Sequence, residues 1–207
     1  MPEFTTRTRR TQFRAENPAV EGAPLTIEGY FVVFGQPYDD GYGCIEYVDR
    51  HAFDHCDMSD VRALLDHDSR IVLGRSNETT STLEFSIDDT GLFGRIQINP
   101  DDSDAMNARA RVLRGDVDQA SFSFEEDDVE YIDNPDGTVR RVIKGISKLW
   151  EITVCTFPAY ESTSVSARSA HPDNRKRELL EHKKTQLKRR MRHHGKKCDA
   201  SEKEALH

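Results

Sequence analysis

No run of apolar residues approaches the length of about 18 that crosses a bilayer, and no charged-then-apolar leader opens the chain. Neither a membrane span nor a secretion signal is therefore expected. Cysteine is scarce: Cys44, Cys56, Cys155 and Cys198 form no C-x-x-C pair. Such isolated thiols are expected to stay reduced in a cytosolic protein, without a disulfide framework. The phosphate-cradling G-x-x-x-x-G-K-[ST] loop is missing, which leaves nucleotide hydrolysis unsupported. Also missing are G-x-S-x-G and S-x-x-K, so a nucleophile-elbow hydrolase has no motif behind it. Aromatic residues are absent after Ser169, although the chain holds 17 of them. A basic segment without aromatics has nothing on which nucleic-acid bases could stack.

What is present divides the chain. Of its 207 residues, those from Ser169 onward hold 12 lysines and arginines against 6 acids, a net of +6; with −8 overall, residues 1–168 carry −14. Five of the eight histidines lie in that basic end. A break in charge and aromatic content of this kind separates a folded body from an appendage. Residues 1–22 are polar, with Arg7, Arg9, Arg10 and Arg14 and no apolar period, and are expected to be a mobile arm. The body is expected over 23–168 and a basic tail over 169–207. In the tail, 172–193 carry Leu179, Leu180, Leu187 and Met191 among charges, which predicts a solvated helix or disorder.

Within the body, β-rich runs at 25–34 and 44–48 flank a Gly-, Pro- and Asp-rich stretch. "DRHAFDHC" can form a helical turn. "VRALLDHD" alternates Val61, Ala63, Leu65 and His67. Leu83, Phe85 and Ile87 alternate before "DDTG", predicting a hairpin back through Leu92 to Ile98. "PDDSDAMNARARVLRGD" predicts a helix with Met106, Ala110 and Leu113 on one face and Gly115 as its stop. A second hairpin turns at Asn-Pro-Asp-Gly, and the last strand, in "SKLWEITVCTFPAY", ends at Pro158. The fold class that follows is mainly β with a few helices: a barrel-like, bent antiparallel sheet.

Three features could carry chemistry. "DQASFSFEEDD" sets Ser121 and Ser123 on one face of a strand and Phe122 and Phe124 on the other, so either serine is a polar strand residue or a nucleophile pointing into a cleft. His67, in "LLDHDSR", is either a surface histidine or the base such a serine needs. Glu151 sits among apolar neighbours in "LWEITVC", where a carboxylate must be paired. Its partner is either a histidine that it orients or a cation, from Arg140, Arg141 and Lys144. His51, His55 and Cys56 have a metal-like spacing but no second ligand pair, and no metal or cofactor is expected. The tail's His182, His193, His194 and Cys198 read as part of a solvated basic segment.

Taken in order, "GYFVVFGQPYDD", "EYVDRHAFD", "VRALLDHD" with "VLGR", "TGLFGRIQI", "RVLRGDVDQASFSF" and "LWEITVCTFPAY" resemble the prohead proteases of tailed bacteriophages, the capsid maturation proteases. The resemblance covers about residues 26–168. One departure is Arg50-His51, where the family commonly has Pro-Gly. The resemblance implies a fold similar to the herpesvirus assembly proteases and a serine endopeptidase that trims the scaffolding part of the capsid protein, often with self-cleavage. It carries His67 over from the family's "HD" segment, Ser121 from the first serine of "SFxF", and Glu151 from the acidic residue of "EIT/EVS". Ser123 stands where the family usually has glycine. The expected partner is the major capsid protein with its scaffolding segment, met inside the assembling prohead in the host cytoplasm. A homo-oligomer is expected; a nucleic-acid partner is not. The competing reading is a catalytically silent, protease-like structural or scaffolding protein of the prohead.

Overall fold

The computed structural model describes residues 5–10, 13–15, 23–39, 44–156, 177 and 179–188. Pro158 and the tail residues His193, His194 and Cys198 lie outside them. The chain divides into two units, residues 1–169 and 170–207. In the second, residues 179–188 are helical, as one of the two expectations for the tail had it.

The first unit is mainly β, as expected. Its strands are β1 (Thr5–Arg10), β2 (Leu25–Val33), β3 (Tyr38–Asp39), β4 (Cys44–Val48), β5 (Val61–Leu65), β6 (Asp68–Ser76), β7 (Leu83–Ile87), β8 (Gly91–Ile98), β9 (Gln119–Asp133) and β10 (Val139–Cys155), and one helix, α1 (Ser103–Arg114), precedes β9. Residues 5–10 thus differ from the expected mobile arm: they form a strand antiparallel to β9.

The long hairpin β9–β10 organises the larger sheet. Its turn is Asn134–Thr138, where Gly137 at φ 86° takes the left-handed conformation the reversal requires. β10 pairs with β9 along one edge. On its other edge it pairs in parallel with β4 through its first half and with β5 through its last turn of residues. Those parallel pairings depart from a purely antiparallel sheet, because β4 and β5 reach β10 by long crossovers rather than hairpins. β2, β8 and β7 form a separate antiparallel sheet of three.

The core lies between the sheets. Phe122 and Phe124 are fully buried and stacked at 4.8 Å, joined by Phe31, Ile96, Ile146, Leu149 and Ile152. Each such side chain contributes roughly 1.5–3 kcal/mol on burial. Gly94 in β8 marks the closest approach: a Cβ there would lie 2.8 Å from the Phe31 ring and 3.1 Å from Ile152 Cδ1. A strict period of two along β10 fails at Leu149 and Trp150. Register shifts in the β9–β10 ladder between Ile146 and Lys148 and between Leu149 and Glu151 turn Leu149 into the core and leave Trp150 half-buried.

Helix α1 stops at Gly115, as its sequence predicts, and is capped at both ends. Asp102 accepts hydrogen bonds from the Asp104 and Ala105 amides, and Gly115 closes the other end at φ 84°. Its inner face is Ala105, Ala108, Arg109 and Val112, whereas Ala110 and Leu113 are exposed and Met106 half-buried. The small alanines let the helix lie close to the body, and this outweighs the larger apolar residues one position along.

Candidate active site

His67 stands at the tip of the β5–β6 hairpin. Leu65 and Asp68 pair across it, so the turn has two central residues, Asp66 and His67, at φ 49° and 58°. Two positive φ values match the twist of the flanking strands. They cost about 1–2 kcal/mol per residue other than glycine, aspartate being among the more tolerant. The turn is held by Asp66: its amide donates to the Val154 carbonyl at 3.0 Å, and its carboxylate accepts from the Thr156 amide at 2.8 Å and hydroxyl at 3.1 Å. His67 is therefore not the last residue of a strand, as the alternation had it. It is a turn residue folded back over β10.

The strands put the other groups beneath it. Ser121 on β9 lies opposite Thr153 on β10, and Ser123 lies opposite Glu151. His67 Nε2 is 2.7 Å from Ser121 Oγ, and His67 Nδ1 is 2.5 Å from Glu151 Oε1. Glu151 can only accept, so Nδ1 carries the proton and Nε2 is left to accept from the Ser121 hydroxyl. Ser123 Oγ donates to the same Glu151 Oε1 at 2.8 Å, and Thr153 Oγ1 lies 3.4 Å from Nδ1. The structure thus brings His67, Ser121 and Glu151 together and gives the two serines different partners.

The cations that could have paired with Glu151 are engaged elsewhere. Arg141 is buried and bridges Glu46, at 2.6 Å, and Glu126. Burial opposes its charge, but Glu126 and Glu46 outweigh this and raise its pKa. Lys144 faces Glu130 at 3.7 Å, and Arg140 lies over the Tyr47 ring. Glu151 is left to His67 and Ser123.

One expectation is corrected. Ser121 does not open into a cleft: it is 0% exposed, enclosed beside the imidazole, whose side chain keeps 23% exposure. His51 turns to Asp54 at 3.1 Å in an exposed turn, and burial raises the Cys56 thiol to about 12. Among the described residues no group of three or more metal-ligating side chains gathers.

Sequence reasoning missed Asp66, Thr153 and Thr156 as supports of the histidine. The available signal was "DHD", an aspartate before a histidine between two β-rich runs, which is a turn composition.

A family model described as caudovirus prohead serine protease matches residues 11–178. The prohead protease of Enterobacteria phage HK97 is 38% identical over 80 residues, 39% of this chain and 34% of that protein. The chain therefore matches only about a third of that relative's length. The bacteriophage T4 capsid assembly protease aligns with a TM-score of 0.42 and 12% identity over 74% of this chain and 99% of that one. With the match extending over most of its length, the chain belongs to the caudovirus prohead serine protease family.

Proposed function

We propose that the protein is a serine endopeptidase that processes the major capsid protein and its scaffolding segment within the assembling prohead, in the cytoplasm of the bacterial host. The observation that carries this reading is the Ser121–His67–Glu151 chain of hydrogen bonds, 2.7 Å and 2.5 Å long, drawn from three separate strands and turns. Family membership supplies the class of reaction.

In this mechanism His67 Nε2 takes the Ser121 proton as Oγ attacks the scissile carbonyl, and the imidazolium then returns it to the leaving amine. Water repeats the cycle to release the acyl group. Glu151 holds Nδ1–H, which fixes the tautomer and offsets the imidazolium charge. Ser123 acts one step back: its hydroxyl on Glu151 Oε1 limits rotation of the carboxylate. That bond replaces the glycine usual at this position in the family with an extra support.

Coexpression with the cognate capsid protein tests the reading. Wild type should shorten the capsid protein, and Ser121→Ala and His67→Ala should leave it whole. Cutting that persists in both variants would refute the mechanism. Self-cleavage belongs to the same proposal, with the +6 tail docking the −14 body to scaffold until it is removed. Intact-mass measurement should show a shortened wild-type chain and a full-length Ser121→Ala chain; equal masses would refute it.

A further inference from the structure

The enclosure of Ser121 raises the question of how a scissile bond reaches it. Around the site the strands run side by side in the order β1, β9, β10, β5, β6. His67 comes from the far end of that series and lies over Thr153, the β10 residue opposite Ser121. The base therefore approaches the hydroxyl from the β10 side. The other side of Ser121 faces the opposite edge of β9, and there β1 lies antiparallel with Thr8 opposite Ser121. With β1 in place, Ser121 has no exposed surface.

β1 is bound by an edge that any extended chain could use. Its six residues, Thr5–Arg10, read TTRTRR and bring no apolar side chain to bury. Backbone ladder bonds give a net of only about 1 kcal/mol each in competition with water. They are indifferent to sequence, which is why one strand can replace another on a sheet edge. Fully buried Phe122 and Phe124 hold β9 itself to the core, so the edge persists when its neighbour leaves.

We propose that this β9 edge is the docking edge for an extended peptide substrate, and that β1 is an exchangeable strand that occupies it and shields Ser121 until a substrate strand takes its place. The inference rests on Ser121 being the nucleophile. It assigns to the N-terminal segment a gating role, and to the substrate an extended segment pairing antiparallel with Gln119–Phe124.

The test uses a fluorophosphonate probe, which bonds to an activated serine oxygen and releases fluoride, on the full chain in two opposed forms. In Arg7→Pro/Thr8→Pro, both adjacent amides are lost, one of which faces β9. Labelling should speed up about fivefold, the change expected from one lost ladder bond. In Arg9→Cys/Ala120→Cys, residues directly opposite in the ladder are within disulfide reach once oxidised. Oxidation should suppress labelling and reduction should restore it, with wild type unaffected by the same treatment. Equal labelling of locked, unlocked and proline-bearing forms would overturn the strand exchange while leaving the nucleophile intact. No labelling of any form would overturn the assignment of Ser121, and the inference with it.

Discussion

Glu151→Gln removes one charge while keeping the size and most of the shape of the side chain. Nδ1 of His67 lies 2.5 Å from Glu151 Oε1, which places the centres of imidazolium and carboxylate charge about 4 Å apart. The Glu151 side chain is 15% exposed, so an effective dielectric near 20 applies, and the attraction comes to about 4 kcal/mol. Each 1.36 kcal/mol is a factor of about ten in rate. Losing the charge when the imidazolium forms therefore predicts a fall in kcat of about 10³. The amide can also donate to Nδ1 and stabilise the wrong tautomer, which extends the loss toward about 10⁴. Ser123 does not compensate, because its hydroxyl bonds the same oxygen and adds no charge. The assay is single-turnover processing of the capsid protein, with products quantified by mass. The predicted result is a large loss in kcat with little change in KM. A loss under about tenfold, or one confined to KM, would refute the argument that this carboxylate serves the histidine.

Other consequences are structural. Arg141→Met would leave Glu46 and Glu126 facing each other around a buried site without their cation, at a cost of about 3 kcal/mol. Thermal unfolding should show Tm lower by about 10 °C, and an unchanged Tm would contradict the bridging role. Gly94→Ala should cost about 1–3 kcal/mol in urea denaturation, because the added methyl meets the Phe31 ring and Ile152; a neutral effect would mean the sheets can part there. Lys148 donates to the Asp57 carboxylate at 2.8 Å and, with Ser59, lowers its pKa. A carboxyl with a depressed folded pKa stabilises above the ordinary carboxylate range and loses that contribution as pH falls through the folded value. The pair is partly exposed, so Asp57→Asn should cost under about 1 kcal/mol at about pH 7 and less still at about pH 3. A cost that grows on acidification would reverse the sign.

Local chemistry made much of the molecule legible. The two hairpins, the caps of α1 and the burial of Phe122 and Phe124 follow from turn residues and period-two alternation, all written within a few positions of each other. Residue chemistry marked His67, Glu151 and both serines as candidates, and the resemblance to the prohead proteases is what pointed to Ser121. Their meeting could not be derived from local pattern, because it depends on β5 joining β10 in parallel, a contact between distant segments. The Asp66-His67 turn lacks the glycine that usually announces positive φ, and its support comes from Thr156, 90 residues away. Register shifts near Leu149 moved the core face within β10, and no residue type there signals a bulge. β1 was illegible for another reason: TTRTRR has no apolar alternation, and its strand conformation comes from the edge it lies on.

Ser121 meets the base and Ser123 meets the carboxylate, so Ser121, not Ser123, is the proposed nucleophile. Mapping the fluorophosphonate adduct by tandem mass spectrometry tests it most directly. The adduct is expected on Ser121 in wild type and, more slowly formed, in Ser123→Ala, with none in Ser121→Ala or His67→Ala. An adduct on Ser123, or one that survives Ser121→Ala, would contradict it.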